Sequence, residues 1–265
     1  MDAIRIVLKN ISQVLLLNNA WTGLFILLGL FIGSWKVGVM ALIASVIALL
    51  LAKRTNYSEE EINTGLSGFN PVLTAIALTL FLVPKWYSLI IILVAIIITM
   101  PIGSAFREFF KPFGVPMLTM PYVFVSWLIL LMSFQFKFVN ADVNILPNAI
   151  QEIQFSGHHI QFINAFLSGF SEIFLLKSVL AGTLILIGIF IASRKAGVYA
   201  IVANLIGFLA VIVLGANHDQ INEGLFGYNV ILTVLALGIA FRTRIQRPIS
   251  IVSVSYTHLT LPTKA

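Results

Sequence analysis

Two stretches set an oxygen-bearing side chain among apolar neighbours: Gln13 in ISQVLLLNN, residues 11–19, and Glu172 in FSEIFLLKS, residues 170–178. A lone amide or carboxylate oxygen accepts hydrogen bonds, and so recognises N–H and O–H donors rather than breaking bonds. A carboxylate at membrane depth costs about 2.5–3.5 kcal/mol on insertion scales, so it must face a polar cavity or a partner. Two readings follow: acceptors lining a pathway, or interfacial residues beside Asn18, Asn19 and Lys177. Other chemistry finds little footing. His158 and His159 are adjacent, and neighbours on a helix do not share a face, so no metal site is expected. Glu59, Glu60 and Glu61 read as a solvated loop run, and with no cysteine there is no thiolate metal site or disulfide. A phosphate-cradling glycine loop, paired catalytic carboxylates and a nucleophile elbow are all missing. Neither an enzyme nor a cofactor is expected.

The solvent for these residues follows from composition. Fifty-nine per cent of the 265 residues are hydrophobic and 10% charged, with a mean hydropathy of +1.02. That is too little polar surface for a water-soluble globule of this length, and it predicts a polytopic bundle of transmembrane helices. Apolar runs lie at about 19–33, 37–52, 69–84, 86–102, 120–136, 173–192, 196–215 and 228–241. The longer ones suffice for roughly 30 Å of hydrocarbon at about 1.5 Å per residue, and the shorter ones must be half-helices or spans with polar ends. The N-terminus, MDAIRIVLKNISQV, lacks a long apolar core or cleavage site and reads as an amphipathic or re-entrant entry to the bundle. The net charge of +6 gathers in short connections, as topology signals do, and nucleic acid is not expected as a partner.

The elements that carry Gln13 and Glu172 come in pairs. GLSGFNPVLTAIAL at 65–78 returns as GLFGYNVILTVLAL at 224–237, with eight of fourteen positions identical. Gly68 and Gly227 stand 159 residues apart, and the same offset pairs Gln13 with Glu172, Ser12 with Ser171, Gly23 with Gly182, Gly29 with Gly188, and Lys36 with Lys195. The chain is therefore a tandem duplication joined near 138–161. Residues 1–145 form the first repeat and 146–253 the second. Five apolar spans in the first repeat, an odd number, turn the second copy upside down in the bilayer. Membrane orientation stays open, because Lys36 and Lys195 then lie on opposite faces.

Within the doubled motif, Asn70 and Asn229 suit helix capping. Phe69 with Leu73, and Tyr228 with Leu232, each share a face one turn apart, which serves packing and pathway lining equally. In GVPMLTMPYVFVSW, residues 114–127, Pro116 and Pro121 flank Thr119 and predict a broken backbone with free carbonyls. Thr119 is either a lining hydroxyl or a helix-start cap.

Taken together, QVLLLNNAWTG, the paired GLSGFNPVLTAIAL and GLFGYNVILTVLAL, PMLTMPYVFVSW and the duplication resemble the urea transporter family over residues 5–250. The resemblance implies five spanning helices and a re-entrant half-helix in each repeat, a homotrimer embedded in membrane lipid, and a separate pore in every subunit. It implies passive, channel-type permeation of urea; an ion-coupled secondary transporter of a small amide is the alternative, and a membrane scaffold a third reading. By motif, Gln13 and Glu172 become pore-mouth oxygens, Phe69 and Leu73 the first hydrophobic slot, Tyr228 and Leu232 the second, and Thr119 the mid-pore hydroxyl. Leu16, where some members carry phenylalanine, and its repeat counterpart Leu175 join the pathway. Tyr228 stands where phenylalanine is commoner, and Val230 replaces the proline found at Pro71. Short connections suggest a bacterial inner membrane.

The end of the chain departs from this pattern. Counterparts of Pro116, Thr119 and Pro121 would fall at 275, 278 and 280, past residue 265. The second repeat is expected to lack its last two spans. VSYTHLTLPT, at 254–263, resembles a translated sequencing adaptor, so 254–265 is expected to be a non-native tail.

Overall fold

The computed structural model describes residues 2–135, 161–215, 221–222 and 224–240. The join at 138–160, His158, His159 and the tail at 254–265 lie outside the described residues. Among the described residues the regular elements are all helical, as the composition predicts. In chain order they are α1 (Asp2–Ser12), α2 (Ala20–Gly33), α3 (Trp35–Ala52), α4 (Glu59–Thr64), α5 (Phe69–Phe81), α6 (Trp86–Phe110), α7 (Met120–Gln135), α8 (Phe162–Ser171), α9 (Val179–Ala192), α10 (Arg194–Val213) and α11 (Gly227–Leu235). Among the described residues three stretches are long and apolar enough to cross a bilayer: Trp35–Ala52, Trp86–Phe113 and Arg194–Val213, of 18, 28 and 20 residues. Phe69–Phe81, Met120–Ser133 and Gly227–Ala240 are shorter apolar helices, matching the expectation of short elements among the spans. Leu89, Ile90, Val94, Ile97 and Ile98 leave one side of α6 apolar and exposed. Hydrocarbon suits such a face where water does not.

The helices gather into two compact units, one of residues 1–14 and 35–155, the other of 15–34 and 156–265. In the first unit α5 is the central element, packed by α1, α3, α6 and α7. Every residue from Phe69 to Leu78 is buried, so this helix needs no polar face. Thr74 and Thr99, both fully buried, share a 3.1 Å hydroxyl hydrogen bond between α5 and α6.

The loop before α5 is tied down by charge. Ser58 caps α4 in a reciprocal box with Glu61, and Gly65 ends the helix in the left-handed conformation at φ 84°. Arg107 Nη1 donates to both Glu61 oxygens at 2.8 and 2.9 Å, Nη2 donates to the Asn56 carbonyl at 2.6 Å, and the guanidinium stacks 4.5 Å above the Tyr57 ring. Glu61 is therefore not part of a freely solvated run: its side chain is 26% exposed, against 72% for Glu59.

In the second unit α9 packs on α2, α8 and α10, and α10 on α11. Helices α2 and α9 are repeat counterparts, and their closest approach is reciprocal. A Cβ on Gly29 would lie 3.1 Å from the Ala181 carbonyl, and one on Gly188 3.3 Å from the Thr22 carbonyl. Thr22 Oγ1 donates to the Gly188 carbonyl at 2.8 Å. The higher-numbered end of each helix meets the lower-numbered end of the other, so α2 and α9 run antiparallel.

Candidate functional site

Gln13 and Glu172 sit at matching breaks in the chain. Helix α1 stops at Ser12, a 3-10 turn spans Gln13–Leu15, and α2 begins at Ala20; α8 stops at Ser171, the turn spans Glu172–Phe174, and α9 begins at Val179. The axes of the second pair bend by 74°. Each break pivots on a leucine with left-handed backbone, Leu16 at φ 57° and Leu175 at φ 58°. A side chain in this region costs about 1–2 kcal/mol, so surrounding hydrogen bonds must impose it. Around Leu175 they are visible. Leu175 N donates to the Glu172 carbonyl at 2.9 Å and Leu176 N to the Ser171 carbonyl at 3.2 Å. The buried Ser171 hydroxyl donates to the Leu176 carbonyl at 2.6 Å and accepts from Ser178 N at 3.2 Å. Both following helices are capped: Asn19 accepts from Trp21 N and Thr22 N, Ser178 from Ala181 N.

Both acceptors are withdrawn from the surface, Gln13 at 5% and Glu172 at 4% exposure, whereas Asn18 and Lys177 are exposed. Gln13 Nε2 donates to the Thr64 carbonyl at the end of α4, at 2.8 Å. Because a carbonyl only accepts, this contact assigns the amide nitrogen to Thr64 and leaves Oε1 as the acceptor.

The apolar candidates are distributed unequally. Phe69 and Leu73 are buried at the start of α5, while Tyr228 and Leu232 are half-buried on α11. Gln13, Phe69, Leu73 and Thr119 belong to the first unit; Leu16, Glu172, Leu175, Tyr228 and Leu232 belong to the second.

The Pro116–Pro121 segment is broken as expected, with Leu118 at φ 44°. Thr119 is exposed and its carbonyl accepts from Val123 N at 3.1 Å, which places it at the start of α7. The freed Leu118 carbonyl accepts from Asn70 Nδ2 at 3.0 Å, and Asn70 Oδ1 accepts from Tyr122 N at 3.3 Å. Asn70 thus does not cap its own helix: it satisfies one backbone donor and one acceptor of the proline break. The N-cap positions of α5 and α11, Gly68 and Phe226, have no side-chain cap, and Asn229 is exposed.

Sequence reasoning missed the buried amides. Asn10 on α1 is fully buried, donates to the Ser45 hydroxyl at 3.0 Å, and fills the space beside Gly68. Asn204 on α10, 2% exposed, donates to the Phe166 carbonyl at 2.6 Å and fills the space beside Gly169 and Gly227. The available signal was a mismatch in the 159-residue register, in which Asn10 pairs with Gly169 and Ser45 with Asn204.

A bundle of apolar helices with two copies of a broken, acceptor-bearing entry helix is a polytopic integral membrane protein. Its family follows from comparison: the model of the urea transporter family matches residues 4–261, and the chain belongs to that family. It is 25% identical over 237 residues to urea transporter 1 of Ovis aries and of Rattus norvegicus, and 24% identical to that of Mus musculus. Each alignment covers 88% of this chain and 62% of the relative, so the chain spans under two thirds of these curated relatives.

Proposed function

We propose that this protein forms a channel-type path for passive permeation of urea. The observation that carries the reading is the retained acceptor at each helix break, Gln13 and Glu172, buried at the same register in a chain of this family. Urea is flat and neutral, with four N–H donors and one acceptor. Each donor stripped of water and left unpaired costs roughly 2–7 kcal/mol in an apolar setting. Oxygens of Gln13, Glu172 and Thr119, with carbonyls freed at the broken helix ends, replace that water. Phe69, Leu73, Tyr228 and Leu232, with Leu16 and Leu175 at the pivots, supply flat apolar walls that admit urea and reject hydrated ions. Binding stays weak enough for release, as conduction requires.

The inverted duplication is part of this reading, supported by the antiparallel, reciprocal packing of α2 and α9. So are assembly as a homotrimer in lipid, which family resemblance implies, and a bacterial inner membrane, suggested by short connections although the relatives above are mammalian. The test is uptake of labelled urea into proteoliposomes without an ion gradient. Saturable, gradient-independent flux is expected; flux that requires sodium or a proton gradient would replace the channel with an ion-coupled carrier.

A further inference from the structure

A groove of about 400 Å³ opens on the first unit, between the start of α3, the end of α5, the Val83–Lys85 link and the start of α6. Its walls are aliphatic, Val39, Ile43 and Ile92 among them. The two hydroxyls on its lining are already spent: Ser88 donates to the Val83 carbonyl at 2.7 Å and Thr79 to the Ala75 carbonyl at 2.6 Å. A polar solute such as an amide would exchange water for unanswered donors here, whereas an acyl chain loses nothing. The rim is different. Trp35 and Trp86 are 66% and 76% exposed, and each is followed or preceded by an exposed lysine, Lys36 and Lys85. Exposed indoles beside lysines mark the level of lipid headgroups. No carboxylate lines the groove, and among the described residues neither lysine forms an ion pair.

We infer that this groove is a binding site for an anionic phospholipid, its phosphate between Lys36 and Lys85 and one acyl chain laid along Val39, Ile43 and Ile92. Charge complementarity selects the occupant: two ammonium groups with no carboxylate partner among the described residues, Lys85 resting only 5.6 Å over the Tyr87 ring, stand at the mouth of an apolar slot and fit a lipid with net negative charge better than a zwitterionic one. The inference rests on the bilayer setting and is independent of what the protein transports.

Native mass spectrometry of the purified 265-residue chain in maltoside detergent tests it, with phosphatidylglycerol and phosphatidylcholine of matched acyl chains as probes. Phosphatidylglycerol should be retained about tenfold more tightly, and Lys36→Gln with Lys85→Gln should bring that ratio close to one. Excess inorganic phosphate should not displace the lipid, because it lacks the chain that fills the slot. Ile43→Trp, which fills the groove, should lower retention of both lipids. Equal retention of the two lipids by the wild type, or an unchanged ratio in the double variant, overturns the site. A change in subunit number with no change in bound lipid would assign the groove to a second copy instead, and equally overturn it. Urea flux of the double variant should match wild type, so loss of lipid preference and failure of transport are read separately.

Discussion

Gly29 and Gly188 hold the same place on two antiparallel helices, each set against a carbonyl of the other: Gly29 beside Ala181, Gly188 beside Thr22. Neither position leaves room for a branched side chain without moving backbone. Gly29→Val and Gly188→Val should each destabilise the protein by about 1–3 kcal/mol, as overpacked cores do, and by similar amounts because the contacts are reciprocal. Thermal unfolding in detergent measures this. A large loss from one variant and none from the other would contradict the local twofold relation.

The buried asparagines predict an exchange. In the first repeat the amide comes from α1, where Asn10 lies against Ser45 and Gly68; in the second it comes from α10, where Asn204 lies against Gly169 and Gly227. Each crossing has space for one such side chain. Asn10→Gly should leave a hole, and Ser45→Asn should crowd a site already filled. The pair together rebuilds the arrangement of the second repeat. A double-mutant cycle should give favourable coupling on the order of 0.5–3 kcal/mol. Strictly additive effects on unfolding would show that the two residues do not share one space.

Transport variants separate the acceptors from the walls. Gln13→Leu and Glu172→Leu should each cut urea flux at least tenfold at equal protein density, because urea donors lose a partner. Phe69→Ala and Tyr228→Ala should instead raise relative flux of larger amides such as methylurea. Normal flux from both leucine variants in reconstituted vesicles would remove these acceptors from the pathway.

The Arg107 anchor makes the α4 loop sensitive to acid. Burial alone would raise the Glu61 pKa, yet hydrogen bonds from Ser58 backbone and hydroxyl, with the Arg107 guanidinium, bring it below the ordinary carboxylate value. A depressed folded-state pKa contributes stability above the unfolded-state value and loses it as pH falls through the lowered one. Limited proteolysis of residues 53–65 should therefore accelerate in acid, and Glu61→Gln should be cleaved faster at neutral pH with a flatter pH profile. Burial pushes Tyr57 up to about 12, so the phenol stays neutral across this range and the acid response belongs to the carboxylate. A profile identical in wild type and Glu61→Gln would rule this out.

What was legible in the sequence was whatever repeats or whatever solvent dictates. A mean hydropathy of +1.02 carried in near-continuous apolar runs points to helices, since an unpaired backbone cannot cross hydrocarbon and the strands of a closed barrel alternate. The constant register set Gln13 and Glu172 at equivalent positions, but the apolar run read at about 173–192 passes over the break that the structure shows at 175–178. Hydrogen bonds around Ser171 and Leu175 hold that break, and an apolar run does not reveal them.

Long-range partners were not legible. That Asn70 serves the break 48 residues away rather than its own helix, that Arg107 reaches back to Glu61, and that α2 packs with the second half of the chain all depend on which helix faces lie together. An asparagine suits a cap, a turn or a buried bridge equally well, and only the geometry of its neighbours selects one. The sequence alone determined an apolar, membrane-embedded helical protein in which one pattern recurs at a 159-residue offset, with Gln13 and Glu172 at matching positions. The tertiary structure decided the partner each polar side chain takes, because in an apolar interior every donor must find an acceptor and packing determines which one is within reach.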